Sequence, residues 1–365
     1  MAPRIRVIEG GKSARAGETA LFDEQFVDLG RDGAPSARLA RDVNVSVETQ
    51  RAFEIKGRMV AQSLSGHFAW GSVAWFVGVL AGVGAVGWAV LAGHLSYWVS
   101  VPVDIVLIYG IFATLHEATH DNIAGRHSRW QWVNHLIGHV SGFVLLAPYP
   151  GFRALHLHHH QHTNDPVEDP DYWVKDSSYV RVLLRCLVIQ PIYIWHLWKI
   201  ARNPRIMRAF VWEMVYVASY IPIIAGAYYF GFGNSLIMLW ILPAYFGVCL
   251  CPLMFDWPVH HPHTTQDRYA GTAILLFPRP LRPVMEYAFL GHSYHLMHHL
   301  YPRIPFYLYS KAYYALEDDV AAVNGKVVDV GLWPTPKGLT DPKRIHALAD
   351  PARNHAQANY NRAPN

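Results

Sequence analysis

The sequence predicts an all-α integral membrane protein, with four transmembrane helices in two hairpins under a cytosolic helical cap. Two observations carry that expectation. The 365 residues contain two long stretches without a charged side chain, and the basic residues around them fall on one side of the implied hairpins. Charged residues make up only 16% of the chain, against about 25% in a soluble domain. The formal net charge of +4 gives no reason to expect a nucleic-acid partner.

From Met59 to Val103 there is no Asp, Glu, Lys or Arg, and the same holds from Met214 to Phe255. A spanning helix needs about 20 apolar residues, so each run accommodates an out-and-back pair. Gly93-His94-Leu95-Ser96 and Gly231-Phe232-Gly233-Asn234 supply the turns. The spans are expected at 68–92, 97–116, 209–229 and 235–255. Two buried helix pairs in a soluble protein are the alternative, and runs of this length argue against it. Weaker apolar stretches at 131–150 and 182–198 are interrupted by His, Arg or Pro; they read as helices in the interface or under the cap. Asp104 and Glu213 fall near span ends, where snorkelling or water satisfies a charge.

The turns carry no Lys or Arg, whereas residues 1–58 carry ten and the loop from Lys175 to Arg208 carries seven. The positive-inside rule then places both termini and the middle loop in the cytoplasm. The chain divides into a cytosolic extension (1–58), a membrane domain (59–316) and a cytosolic tail (317–365). The start, MAPRIRVIEGGK, lacks the apolar core of a signal peptide. Cys186, Cys249 and Cys251 are odd in number and lie in apolar surroundings, which argues against a disulfide framework.

The 22 histidines concentrate in four places, all at the cytoplasmic ends of the expected spans or in the cap. They are HEATH at 116–120, HLHHHQH at 156–162, HHPH at 260–263 and HSYHLMHH at 292–299. On a helix, residues three and four apart share a face. His116 and His120 form such a pair; His156, His159 and His160 form H-x-x-H-H, and His295, His298 and His299 repeat it. Eight imidazoles, with a ninth from 260–263, are too many for one ion and suit two ions of high coordination. Imidazole serves Fe, Zn, Cu and Ni alike. His260 is the favoured ninth, with His261 and His263 as substitutes. His158 and His162 lie on other helix faces. His67, His94, His127, His135, His139, His196, His346 and His355 read as isolated.

HEATH also fits the H-E-x-x-H of zinc proteases, with Glu117 as general base. A membrane metallopeptidase of that kind leaves the other histidines unexplained, and the L-D-G tripeptide that commonly supplies its third ligand is absent. A histidine-rich metal transporter would place its ligands near mid-membrane, whereas these fall at helix ends.

At these boxes the chain resembles the membrane fatty acid desaturase and hydroxylase superfamily, from about Trp98 to Leu316. The stretches HLHHHQHTNDPVEDPDYW, FDWPVHHPH and GHSYHLMHHLYPRIPFYLYSKAYYAL look most like β-carotene hydroxylases and related bacterial lipid desaturases. Glu117 stands where Asp is usual, His158 is extra, and Pro258 is displaced. The resemblance implies a non-haem di-iron centre of two Fe ions held by His116, His120, His156, His159, His160, His260, His295, His298 and His299. It implies O2 as co-substrate, a long apolar membrane lipid as substrate, and an external electron donor of ferredoxin or cytochrome b5 type. Desaturation of an acyl chain and hydroxylation of a carotenoid ring both stay open. Ligating imidazoles need an orienting partner on the second nitrogen; Glu117, Asp121, Asn122, Asn164, Asp165, Asp169, Asp171 and Asp256 stand close to the boxes, with helix capping as their alternative role.

Overall fold

Charge exclusion and helix caps set the four long helices. The computed structural model describes residues 45–176 and 178–330; most of the expected terminal extensions, with His346 and His355, lie outside the described residues. Helix α1 (Val47–Leu64) starts at Ser46, whose side chain accepts the Thr49 N–H. It runs through the boundary expected at 58. The first hairpin is α2 (Trp70–Leu91) and the pair α3 (Tyr97–Gly110) and α4 (Phe112–Thr119), which together make one 23-residue span. At 1.5 Å per residue, 22 residues of α2 reach about 33 Å, enough for a hydrocarbon core of about 30 Å. The intervening turn uses Gly93 at φ +77°.

Between the hairpins, α5 (Gln131–Val144) and α6 (Tyr149–His162) are followed by α7 (Tyr179–Cys186) and α8 (Ile189–Ile200). The last two meet at a 78° bend. The second hairpin opens with α9 (Pro204–Tyr229), capped by the Asn203 side chain on the N–H groups of Arg205 and Ile206. Gly231 turns the chain at φ +84°. The return span, Gly233–His260, is 28 residues long. It comprises α10 (Gly233–Leu236), α11 (Leu242–Cys251) and α12 (Trp257–His260), joined by π-helical turns at Ile237–Ile241 and Pro252–Asp256. Prolines 243 and 258 follow those turns; each lacks an N–H, and the wider turn accommodates the carbonyl it cannot satisfy. The two hairpins meet where Gly247 of α11 approaches the Tyr109 backbone, a Cβ there lying 3.2 Å from the Tyr109 nitrogen. Small residues permit such close approach between helices in lipid. Outward faces remain apolar: Trp70, Trp88, Ile221 and Tyr229 are each more than 60% exposed, as a bilayer environment requires.

After His260 come β1 (Ile274–Leu276), α13 (Arg282–Ala288), α14 (His295–Leu300), α15 (Tyr309–Ala322) and β2 (Val327–Asp329). Helix α15 and β2 extend the cap past the boundary expected at 316. The parallel pair β1–β2, in register Ile274↔Val327, is the one departure from an all-helical reading of the described residues. It acts as a stitch. The Ala273 N–H donates to Val259 O (2.7 Å) and the Leu275 N–H to Ser293 O (2.7 Å), tying the end of the fourth span to the start of α14.

Candidate metal centre

Four elements bring their histidines to one place. The spans end in His116 and His120 on one side and His260 on the other; α6 supplies His156, His159 and His160, and α14 supplies His295, His298 and His299. Ring nitrogens of His116, His120, His156 and His298 lie within 4.8 Å of one another, as do those of His159, His260, His295 and His299. His160 joins His298 and His299 in a third grouping that links the two. Residues from positions 116 to 299 thus form one paired cluster containing all nine histidines named from the sequence.

The contacts within it are not ordinary hydrogen bonds. His156 Nε2 is 3.0 Å from both His120 Nε2 and His160 Nε2. His298 Nε2 is 3.1 Å from His116 Nε2 and 2.8 Å from His160 Nε2. His295 Nε2 is 3.0 Å from His260 Nε2 and 3.1 Å from His299 Nε2. An imidazole nitrogen has a single in-plane proton or lone pair, so it cannot serve two such neighbours. A shared central ion would account for the arrangement. Metal–nitrogen bonds of about 2.1 Å put neighbouring ligands about 3.0 Å apart at right angles and about 3.4 Å apart in a tetrahedron. The observed N···N spacing of 2.8–3.1 Å is nearer the right-angle value than the tetrahedral one. Burial, followed by the neighbouring imidazoles, holds His156, His160, His295, His298 and His299 well below the usual histidine range; they stay neutral, the form with a lone pair to give.

Two of the eight candidate orienting partners, Asp169 and Asp171, reach an imidazole. Asp169 Oδ1 stands 2.8 Å and Asp171 Oδ2 3.2 Å from His159 Nδ1. Burial opposes a charge on His159, but the two carboxylates outweigh it and hold the imidazole up at about 9. Burial raises Asp171 to about 6, and its Oδ1 accepts from the Tyr193 hydroxyl at 2.7 Å. The other six candidates do not hydrogen-bond an imidazole. Asp121 pairs with the fully buried Arg153 at 2.9 Å. Asn164 donates to the carbonyls of Thr265 and Gly271. Asp165 receives the N–H groups of Val167 and Glu168. Asn122 bridges Glu117 and the Pro302 carbonyl. Asp256 lines the adjoining pocket.

Glu117 is completely buried. Its carboxylate accepts from Ser72 Oγ, Asn122 Nδ2 and the Phe306 N–H at 3.1–3.2 Å, so it brackets α2, α4 and the loop after α14. A glutamate so engaged is not free to work as a protease base. His158 turns instead to Glu168 at 3.6 Å, with its ring against His162. His261 and His263 are buried beside the cluster but lie outside both groups of four.

Sequence reasoning missed two residues. Tyr309 Oη is 2.9 Å from His298 Nδ1, the role sought among carboxylates and side-chain amides. His292 is fully buried, with Nδ1 2.9 Å from Leu290 O and its ring 4.6 Å from that of His116. Its spacing of three from His295 was the available signal. Beside these rings opens a pocket of about 860 Å³ including its mouth, lined by His116, His156 and His295 at one end and by side chains such as Leu145, Phe152 and Val248 elsewhere.

A helical membrane protein with a two-part histidine centre beside an apolar pocket defines the class. The chain belongs to the fatty acid desaturase family, whose sequence profile matches residues 95–329. Among similar proteins, the sn-1 oleoyl-lipid 12-desaturase of Picosynechococcus sp. is 25% identical over 282 residues, covering 67% of this chain and 77% of the relative. The dihydrorhizobitoxine desaturase of Bradyrhizobium elkanii is 27% identical, covering 60% and 68%. The sn-1 acyl-lipid omega-3 desaturase (ferredoxin) of Synechocystis sp. is 32% identical over a shorter stretch, 33% and 34%.

Proposed function

We propose that this chain is an oxygen-dependent, di-iron membrane lipid desaturase that introduces a double bond into a long apolar chain, with ring or chain hydroxylation as the competing outcome. The observation that carries the reading is the pairing of two four-imidazole groups at octahedral spacing beside a largely apolar pocket. The names of the relatives favour desaturation of an acyl chain over oxidation of a carotenoid.

His116, His120, His156 and His298 would hold one ion and His159, His260, His295 and His299 the other, with His160 completing the centre between them. Iron bound there supplies the dioxygen-dependent redox chemistry that cleaving an unactivated C–H bond demands and no side chain provides. The protein's own part is placement. Asp169 and Asp171 fix the ring of His159, Tyr309 that of His298, and the stitch at β1 holds His260 against His295. Phe112, Phe152 and Val248 keep the substrate slot apolar and exclude water from it.

Electrons come from a separate carrier, and the ferredoxin in one relative's name supports a ferredoxin. The basic residues near the cap support a cytoplasmic site and cytoplasmic termini. Expression in a host that makes both fatty acids and carotenoids, followed by lipid mass spectrometry and metal analysis, tests the reading. It requires about two irons per chain and a lipid that has lost two hydrogens. One added oxygen atom would make the enzyme a hydroxylase; one zinc with proteolysis would overturn the assignment.

A further inference from the structure

The helix pair α7–α8 runs alongside the return span, and three contacts fix its course. The Trp257 indole donates to the Asp176 carbonyl at 2.9 Å, the Cys249 thiol to the Cys186 carbonyl at 3.1 Å, and the Tyr245 hydroxyl to the Leu187 carbonyl. As the chain proceeds from 176 to 187, its partners step back from 257 to 245, away from His260 and toward Gly233. Tyr245 lies 12 residues past Gly233. That is about 18 Å along a helix axis, well inside a hydrocarbon core about 30 Å thick. Helix α8 then comes back: the Tyr193 hydroxyl donates to Asp171 Oδ1 at 2.7 Å, and the Lys199 amine to the Val167 carbonyl. Both ends of the pair therefore stand at the histidine-bearing end, with the 78° corner far below them.

Backbone outside a helix is tolerated at such depth only where protein groups satisfy it. The carbonyls of Cys186 and Leu187 are taken by the thiol and hydroxyl just named, and across the corner the Gln190 amide takes the Leu146 carbonyl at 2.6 Å. Outward, Val180, Leu183, Leu184, Leu187 and Val188 recur at helical spacing and are each 44–63% exposed. The charge between them turns away: Arg185 reaches back to Asp176 at 2.9 Å and to the Trp173 carbonyl at 3.0 Å, as a snorkelling side chain does beside hydrocarbon. We infer that α7–α8 is a re-entrant hairpin, entering and leaving the membrane on the histidine side, and that its outward face binds the acyl chains of the bilayer. Ile189 and Gln190 of the same corner line the pocket, so the corner is a wall shared by the pocket and the lipid.

The test is spin-label accessibility in the full-length protein reconstituted into phosphatidylcholine vesicles. Nitroxides are attached to Leu184→Cys and Val188→Cys. Ile221→Cys, exposed within α9, is the lipid reference, and Arg202→Cys, exposed between α8 and α9, is the water reference. The wild type, whose cysteines are all buried, gives the labelling background. Both corner labels should collide with dissolved oxygen as the Ile221 label does. They should meet a nickel chelate about tenfold less often than the Arg202 label, since a polar complex partitions poorly into hydrocarbon. Nickel collisions at either corner label closer to those at position 202 than to those at 221 would overturn the inference. Unchanged thermal midpoints identify the labelled proteins that are folded, and the second position decides if the first variant is not. Neither result bears on the lipid chemistry, so the desaturase reading stands or falls separately.

Discussion

Among the nine clustered histidines, His159 has the most firmly held second nitrogen. Two carboxylates reach its Nδ1, and Asp169 is itself fixed by the N–H groups of Asn164 (2.6 Å) and Asp171 (2.9 Å). Removing such a partner typically costs about 10–100-fold in metal affinity. Asp169→Asn should show a loss of that size in chelator competition with Fe(II), while Tyr309→Phe, which removes a single neutral contact from His298, should show less. Equal affinity in all three proteins would mean that the second nitrogens do not matter to the site. Lys326 tests a different balance. It is buried, donates to the His261 carbonyl, and burial lowers its amine from the ordinary 10.5 to about 8. Below about pH 8 both folded and unfolded chains carry the proton and the burial cost is constant. Between about pH 8 and 10.5 the unfolded chain binds more protons, so stability rises with pH, by about 3 kcal/mol across the whole window. The thermal midpoint of the wild type should therefore climb relative to Lys326→Met from pH 8 to 10; a pH-independent difference between the two proteins would refute this.

Where helices cross, glycines decide how closely the histidine-bearing elements approach. A Cβ on Gly138 of α5 would lie 2.8 Å from the Tyr149 ring and 2.9 Å from the Ala118 Cβ. Tyr149 and Arg153 both donate to the Ala118 carbonyl, at 3.0 and 3.1 Å, so α4, α5 and α6 lock together beside His116, His120 and His156. Gly138→Val should lower the thermal midpoint by the equivalent of about 1–3 kcal/mol and weaken metal binding. Gly78→Val, on α2 where an added Cβ meets nothing within 4 Å, should do neither; matching behaviour would show that the crossing is not tight. The helices themselves were legible from the sequence because the absence of charge over a span needs no knowledge of partners. Their ends were less so. Asn203 and Pro204 start α9 before its two arginines, and π-helical turns carry the fourth span past Asp256 and Pro258 to His260. The β1–β2 stitch spans three residues on each side, too short for a periodic pattern to show. The boxed histidines were legible because each set lies on one short helix. Their orienting partners were legible only in part, since neighbours in sequence need not be neighbours in space: Asp169 and Asp171 do reach His159, Tyr309 was not foreseen at His298, and Asp121 follows His120 directly, but at φ +55° the chain turns its carboxylate to Arg153.

At the scale of the whole molecule, the clustering of all nine boxed histidines at one end of the hairpins makes sidedness a functional quantity. A carrier of electrons has to reach that end, and the charge-free turns at Gly93 and Gly231 mark the opposite one. Seven basic residues between Lys175 and Arg208 and ten in residues 1–58 predict, by the positive-inside rule, that the cap faces the cytoplasm. The native cysteines, Cys186, Cys249 and Cys251, are all buried, so an introduced thiol on the surface reports its own side of the membrane. His94, exposed in the first turn, and Arg202, exposed where α8 gives way to α9, are suited to the comparison. In intact bacterial cells His94→Cys should react with a membrane-impermeant maleimide, and Arg202→Cys should react only after permeabilisation. The reverse pattern would put the histidine cluster on the outer face, beyond the reach of a cytosolic ferredoxin, and the proposed electron supply would have to be abandoned even if the lipid chemistry stood.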